Sequence, residues 1–568
     1  MNSLFTSIAN NIGSETQLPQ PSDYASSSDF VNACCDSHDQ HKSVQNILSK
    51  PPSSFNFRPV TTSEVAEMIK SLNKKKATGL DEIPSKAMVP VCDLLAPPLT
   101  FLFNQCVSTK HFPRRCKLAM VSPIYKKDDP LDGKNYRPVS ILTASSKILE
   151  RCMETQLQDF LARIYNPATA AFRRGYSCQQ VLLRFCDTWR RAVEERDVVG
   201  AVLLDLSKAF DCLPFSLIIA KLKAYGMDAN AVELIANYLT NRAQCVKVGS
   251  TLSSFKELSK GVPQGSILGP LIFNVFINDI YDAVKHGSLI NYADDNTLIA
   301  SAPNLDLTKN ILNVDTANLM EWIKTNEMQA NPSKFQIMFS DRTLTSLRIE
   351  NVSVQSENCV KLLGVHIDNR LTFDHHVSEI CRKAANQINM LVRICRHLNT
   401  NVKLLLYKSF VMCNFNYCPV VWHSCGKVNT QKLEKLQFRA LKFVFNDHTS
   451  SYETLLSRAN LPSLEIGRLR SIALEVFKCQ NQQNPVFLNA LFTTSTPSHS
   501  YNLRHNHLLP SHSRTTRHGL NSFTNYGIHI WNSLPAHFRS TNDFNVFKTM
   551  LKTWNGPSCR CSMCNELN

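Results

Sequence analysis

Four residues, Tyr292-Ala293-Asp294-Asp295, constrain this chain more than any other feature. They lie between two short apolar runs, Leu289-Ile290-Asn291-Tyr292 and Thr297-Leu298-Ile299-Ala300, which is the pattern of a hairpin with an acidic turn. Such a turn presents both carboxylates from one point. Upstream, residues 198–205 form a β-branched apolar run, read as a buried strand that ends at Asp205. For the hairpin to lie next to that strand, the intervening helices must fold aside, which is ordinary in an α/β sheet with insertions. An acidic turn alone has a plainer reading, because Asp favours polar turns by itself.

Two neighbouring carboxylates and a distant third suit a pair of hard cations. Mg²⁺ prefers oxygen ligands, and two such ions a few ångströms apart need several carboxylates converging on them. The chemistry this suggests is phoshoryl transfer by a nucleic-acid polymerase. Lys and Arg number 62 against 46 acidic residues, a formal net charge of +16 that favours a polyanionic partner without proving one. At typical domain sizes, 568 residues imply roughly three or four units.

The amino terminus, Met1-Asn2-Ser3-Leu4-Phe5, lacks the basic start and apolar stretch of a signal peptide, so an intracellular protein is expected, nuclear or cytoplasmic. The apolar run Ile267 to Ile277 falls short of the ~20 residues that span a bilayer, and no membrane partner is expected. The 20 scattered cysteines read as reduced thiols. Residues 1–58 are polar with little periodicity and are read as a disordered leader or linker. A helix begins near Thr61 with Val65, Met68, Ile69 and Leu72 on one face and Ser63 as its N-cap. Two further helices are expected around 214–225 and 229–240, then a hairpin with strands at 243–248 and 253–259. The loop Gly261-Val262-Pro263-Gln264-Gly265-Ser266-Ile267-Leu268-Gly269 concentrates glycine where something must approach the backbone closely, and a helix should follow from about 270 to 284.

Five blocks occur in order: Ala77-Thr78-Gly79-Leu80-Asp81-Glu82-Ile83-Pro84, Asn135-Tyr136-Arg137-Pro138-Val139-Ser140, Leu204-Asp205-Leu206-Ser207-Lys208-Ala209-Phe210-Asp211, Gly261-Val262-Pro263-Gln264-Gly265-Ser266 and Tyr292-Ala293-Asp294-Asp295. A looser block, Ala171-Phe172-Arg173-Arg174-Gly175-Tyr176-Ser177, falls between the second and third. This ordered set resembles the reverse transcriptase of non-LTR retrotransposons of the LINE or jockey type, strongly over about residues 60–370. The resemblance implies an α/β (α+β) right-hand polymerase fold with fingers over 59–197, a catalytic palm over 198–345, a palm–thumb junction and helical thumb over 346–500, and a carboxy-terminal segment over 501–568.

Carried over residue by residue, the resemblance implies that Asp205, Asp294 and Asp295 hold two Mg²⁺ ions, with Mn²⁺ as a substitute, and that the backbone oxygen of Leu206 completes one shell. Phe210 would crowd a ribose 2′-hydroxyl and so favour deoxynucleotides. Gln264 and Gly265 would lie beneath the incoming base and template, and Lys126 and Arg137 would grip the triphosphate. Lys334, in Asn331-Pro332-Ser333-Lys334, would protonate the departing pyrophosphate, and Leu362-Leu363-Gly364-Val365-His366-Ile367-Asp368 resembles the block that holds the primer. The implied partners are an RNA template, a DNA primer and dNTPs. Asp211 is expected to have a structural role, capping a helix that starts near Leu213.

In the thumb region, Lys432, Lys435, Arg439 and Lys442 step by three, four and three beside Leu433, Leu436, Ala440, Leu441 and Val444. A helix so patterned rests on a core and faces a phosphate backbone, though a merely solvated face has the same pattern. Two cysteine groups carry little metal signal. Cys34-Cys35 with His38 and His41 sits in the polar leader, and Cys559, Cys561 and Cys564 lack a fourth ligand nearby. An endonuclease usually precedes the polymerase in these elements, and 58 polar residues cannot fold into one, so a nuclease is expected to be absent or supplied elsewhere. The segment around Trp531-Asn532-Ser533-Leu534-Pro535, with Phe544, Phe547 and Leu551, resembles the usual end of jockey-type reading frames and implies an intact carboxy terminus. The rival readings are an inactive or repurposed relative that binds RNA, and an intron-maturase-like splicing helper.

Overall fold

The computed structural model describes residues 1–7, 19, 23–24, 26–50, 53–341, 343–492 and 516–557. Its strands begin with β1 (Leu118–Tyr125), β2 (Tyr136–Ile141), β3 (Val198–Asp205), β4 (Arg242–Val248), β5 (Thr251–Leu252) and β6 (Lys256–Leu258). They continue with β7 (Ser288–Tyr292), β8 (Asp295–Ala302), β9 (Gln336–Phe339), β10 (Ser346–Ile349), β11 (Val352–Gln355), β12 (Cys359–Leu362) and β13 (Val365–Asp368). Helices occupy most of the remaining described chain, so the fold is mixed α/β. Two compact units interleave in sequence: Met1–Phe172, Asp205–Lys285 and Asp315–Ser333 form the first, and Arg173–Leu204, His286–Val314 and Lys334–Asn568 the second. The boundaries expected from sequence run consecutively, whereas these units exchange the chain several times.

In the first unit, β1 pairs antiparallel with β2 and parallel with β4, which also carries β5 and β6. The expected helices and hairpin downstream are present at Phe215–Ala224, Ala229–Leu239 and β4 to β6, because each follows a clear apolar period. The helix near Thr61 spans Thr62–Lys70, but its cap is Thr61, whose side chain accepts the Glu64 N–H while Glu64 reaches back to Thr61. Ser63 is therefore not the cap.

The expected disorder of residues 1–58 does not hold for the described part of that segment. Helices Ser27–Ser37 and Lys42–Leu48 bury Phe30, Val31, Cys34, Val44 and Ile47 and pack on helix Phe215–Ala224. Helix Asn2–Ser7 is anchored on β4 and β6: Asn2 Nδ2 donates to Gln244 O (3.1 Å) and Ser254 O (2.8 Å), and Phe5 packs with Val121, Val246 and Tyr136. A few apolar side chains docked on another helix offset the ordering cost although the segment is polar overall.

The helical stretch Ser85–Thr109 is long and apolar enough, by length and composition, to cross a membrane, a feature the sequence reading did not single out. In this fold it buries Ala96, Phe103 and Cys106 and packs on helices Thr62–Lys70, Ala144–Ile164 and Ala229–Leu239.

The second unit is built on a four-stranded sheet in the order β7-β8-β3-β9. Residues 199–204 of β3 are buried on both faces, as its unbroken apolar run requires. β9 runs antiparallel to β3, with Leu203 opposite Gln336. β8 lies on the other side of β3. It ends at Ala302, and Thr308, in the first turn of the helix that follows, donates from Oγ1 to Val198 O at the start of β3 (2.7 Å). The start of β8 therefore lies toward the end of β3. The rest of this unit is mainly helical, with a core that includes the stacked pairs Phe185–Trp189 and Phe477–Phe547.

Candidate active site

Acidic residues stand at strand ends of the β7-β8-β3-β9 sheet. β3 terminates at Asp205, and the β7–β8 hairpin turns through Ala293 and Asp294, with Tyr292 opposite Asp295. Ala293 has φ 56°, the left-handed conformation that a two-residue hairpin loop demands at its first central position. Glycine usually fills that position, so the turn needs bracing, and two buried asparagines supply it. Asn291 and Asn296 face each other across the hairpin; Asn291 Nδ2 donates to Ala293 O (2.7 Å) and Asn296 Oδ1 (3.0 Å), and Asn296 Nδ2 donates to Asp294 O (3.2 Å). The result leaves Asp294 half-buried and Asp295 exposed. Sequence reasoning missed this pair, although two asparagines inside apolar strands, where Asn is depleted, were a usable signal.

Beyond Asp205 the chain is held by residues 329–331. Ser207 N donates to Gln329 O (2.7 Å) and Asn331 N donates to Asp205 O (2.9 Å), which brackets Leu206 opposite Ala330. In such a pair the central residue turns its own N–H and C=O away from the neighbouring segment. The Leu206 carbonyl is thus directed away from residues 329–331, as a metal ligand there would need. Carboxylates and a backbone carbonyl are hard oxygen donors, the type that suits divalent cations.

In the first unit, the glycine-rich loop is fastened at successive points. Gly261 N donates to Leu213 O (2.8 Å), Val262 N to Phe210 O (2.8 Å), and Gln264 O accepts from Ser140 N of β2 (2.7 Å). Gly265 has φ +132°, and a Cβ there would lie 2.3 Å from Ser140 O, so only glycine fits. The loop runs into helix Leu268–Ile277, whose first N–H groups are met by the buried Glu150 carboxylate, which accepts from Ile267 N (2.6 Å) and Leu268 N (3.3 Å). Burial pushes the Glu150 carboxyl above its usual range. No pattern in the residues pointed to Glu150, which sits on helix Ala144–Ile164.

Asp211 does not cap a helix. The helix begins at Phe215 behind Pro214 with no side-chain cap, and the Asp211 carboxylate instead accepts both short bonds from Gln264 Nε2 (2.8 and 2.9 Å). Burial raises its pKa to about 6, against the opposing pull of Gln264, Lys208 and Lys126. Phe210 stacks on Phe273 (4.4 Å between centroids) and meets Phe172 edge-on (5.9 Å), so its ring is fixed. Lys126 and Arg137 share the β1–β2 ribbon: Arg137 pairs with Ile124, Lys126 N donates to Asn135 O (2.9 Å), and both side chains are exposed. Burial depresses the Lys208 ammonium, and the charges of Lys126 and Lys134 add to that effect, so several cations gather near the ribbon's end.

Residues 124–367 match the reverse transcriptase (RNA-dependent DNA polymerase) family. Among curated relatives, the chain is 28% identical over 427 residues to "Probable RNA-directed DNA polymerase from transposon BS" of Drosophila melanogaster, covering 72% of this chain and 47% of that one. It is 26% identical over 420 residues to the RNA-directed DNA polymerase from mobile element jockey of the same species (71% and 46%), and 25% over 377 residues to the Pol polyprotein from type-1 retrotransposable element R1 of Bradysia coprophila (63% and 37%). The chain thus carries a segment that matches the reverse transcriptase family, and the relatives it resembles are polymerases and Pol proteins of transposable elements. It spans less than half the length of these relatives.

Lys334 is exposed on the short turn Pro332–Lys334, two residues before β9 begins opposite Leu203, and so enters the sheet at the end where β3 finishes. Leu363 and Gly364, with φ 45° and 83°, form the two-residue turn of the β12–β13 hairpin, and Tyr417 OH donates to Leu363 O (2.7 Å). The basic stripe lies on helix Lys427–Phe445, which buries Leu433, Ala440, Leu441 and Val444. Lys432, Lys435 and Arg439 are exposed, Arg439 donates to Asn389 Oδ1, and the half-buried Lys442 leans on the Phe438 ring (4.2 Å). The Cys34 group is structural: burial raises that thiol to about 12, His38 Nδ1 bonds Cys34 O, and His41 Nδ1 accepts the Ser43 N–H at a helix start. Cys559, Cys561 and Cys564 lie outside the described residues.

Proposed function

We propose that this chain is an RNA-directed DNA polymerase that copies an RNA template by adding dNTPs to a DNA primer, on a right-hand fold of fingers, palm and thumb. The observation that carries the reading is the acidic residues at strand ends of the β7-β8-β3-β9 sheet, where β3 ends in Asp205 and the braced turn carries Asp294 and Asp295. Two divalent ions, Mg²⁺ by the hardness of the donors with Mn²⁺ as a substitute, would be held by Asp205, Asp294, Asp295 and the Leu206 carbonyl, lowering the pKa of the primer 3′-hydroxyl and offsetting charge on the leaving pyrophosphate.

The other residues act by position and charge. Lys126 and Arg137 grip the triphosphate, and Lys334 gives a proton to the pyrophosphate as the 3′-oxygen bonds to the α-phosphorus. Phe210, immobilised by Phe273 and Phe172, crowds the position of a 2′-hydroxyl and so selects deoxynucleotides. Gln264, oriented by Asp211, and Gly265 support the base and template. Lys432, Lys435, Arg439 and Lys442 follow the hybrid backbone, whose A-like form is recognised by shape. The setting is intracellular, where RNA and dNTPs are available.

The test is dNTP incorporation on a primed RNA template with Mg²⁺, comparing the wild type with Asp205→Ala and Asp294→Asn. Extension by the wild type alone, with hybrid binding and melting temperature nearly unchanged in Asp294→Asn, is the expected result. Hybrid binding without extension by any of the three would replace this reading with an RNA-binding relative that does not polymerise.

A further inference from the structure

The β12–β13 hairpin and the helix after it bring together three side chains that the polymerase reading does not use. Val360, Leu362, Val365 and Ile367 turn inward and are buried, so Cys359 and His366 share the opposite face of the hairpin. Cys359 is opposite Asp368 and Lys361 is opposite His366, which makes Cys359 and His366 diagonal neighbours. His375 reaches them from the first turn of helix Asp374–Ile394, and its ring stands edge-on to that of His366 at 4.5 Å between centroids. Cys359 Sγ and one ring nitrogen from each histidine all lie within 4.8 Å of one another.

We propose that Cys359, His366 and His375 bind one zinc-class divalent ion, which clips the β12–β13 hairpin to the helix behind it. A thiolate with two imidazoles is a donor set for Zn²⁺ rather than Mg²⁺. No hydrogen bond among the described residues engages Cys359 Sγ or the imidazole of His366 or His375, so no competing partner has to be displaced. The adjacent His376 is committed elsewhere, since its Nδ1 accepts the His366 N–H (3.3 Å) and so fixes the backbone from which His366 projects.

The surrounding charges are mixed. Lys361 and Lys383 oppose a cation, while Glu379 near His366, and Asp368 and Glu357 near Cys359, favour one. Asp368 is not the fourth ligand, because its carboxylate accepts the N–H groups of Arg370, Thr372 and Phe373. That position is left to water. Tetrahedral bonds of about 2.0–2.3 Å imply ligand atoms roughly 3.3–3.7 Å apart, so any inward movement is at most about 1.5 Å, which exposed His375 can supply by a side-chain rotation. The Cys359 proton goes to solvent as the metal–sulfur bond forms.

The test uses full-length protein stripped with EDTA and titrated with Co²⁺. With excess Mg²⁺ present to occupy the carboxylates, the expected result is about one equivalent of Co²⁺ that gives tetrahedral d–d bands and a thiolate-to-cobalt charge-transfer band, both displaced by Zn²⁺. Cys359→Ser should abolish the charge-transfer band, and His375→Ala, on an exposed site, should weaken binding at least about tenfold. Zn²⁺ should raise the melting temperature of the wild type and not that of either variant. Absence of the charge-transfer band in the wild type, or its persistence in Cys359→Ser, would overturn the proposal, the latter by locating the thiolate elsewhere. Should Cys359→Ser fail to fold, unchanged affinity in His375→Ala overturns it equally.

Discussion

Asp211 shows how one residue can be named correctly and assigned the wrong task. Its position after Phe210 suggested a cap, whereas the fold gives it the Gln264 amide and a raised pKa of about 6. A carboxyl raised in the folded state contributes stability below its ordinary value near 3.9 and loses that contribution as pH rises through about 6. Asp211→Asn keeps an oxygen that can accept from Gln264 but does not titrate. Relative to wild type, the variant should therefore gain on the order of 1–2 kcal/mol between pH 4 and pH 7. Urea melts of both proteins at those two pH values check this, and a difference independent of pH would mean that Asp211 is not the titrating group. The two-asparagine brace of the Asp294 turn is a second contact that spacing alone could not specify, because its donors act on the backbone of the turn.

At the scale of elements, legibility followed periodicity. The run Val198–Asp205, the acidic hairpin and the helices near 215 and 229 were readable because each has a continuous apolar run or a clean period. Helices Ser27–Ser37 and Lys42–Leu48 were not, since their few buried residues acquire meaning only against helix Phe215–Ala224. The same helix carries Lys221, fully buried with Asp279 at 2.6 Å; Phe276 O accepts from Lys221 Nζ and Trp322 Nε1 donates to Asp279. Burial pulls the Lys221 ammonium down while Asp279 holds it charged. Lys221→Met should cost about 3–5 kcal/mol by leaving Asp279 unpaired, and adding Asp279→Asn should recover part of that loss in denaturant melts. The glycine loop makes a different prediction. In Gly265→Ala the new Cβ meets a backbone oxygen, so the loop must leave Ser140, and primer extension should fall about tenfold or more with little change in hybrid binding. Normal extension by this variant would show that the loop does not support the nucleotide.

Over the whole molecule, the +16 net charge says only that a polyanion is favoured, and the fold decides which cations could meet it. Helix Lys427–Phe445 buries one stripe and exposes another, so its cations are held on a rigid element. They are not equivalent. Lys435 is exposed, while Arg439 is drawn to Asn389 and Lys442 lies over Phe438. If the stripe follows a phosphate backbone, each lost contact should reduce the slope of log affinity against log salt by about 0.7–0.9. Replacing Lys432, Lys435, Arg439 and Lys442 together by Gln should lower that slope by about 3 and weaken RNA–DNA hybrid binding equally across unrelated sequences. Lys435→Gln alone should account for about one such step, and Arg439→Gln for less. Filter binding between 50 and 300 mM salt measures all three proteins. An unchanged slope in the fourfold variant would assign the stripe to solvent, and the hybrid would then have to be held by cations elsewhere on the chain.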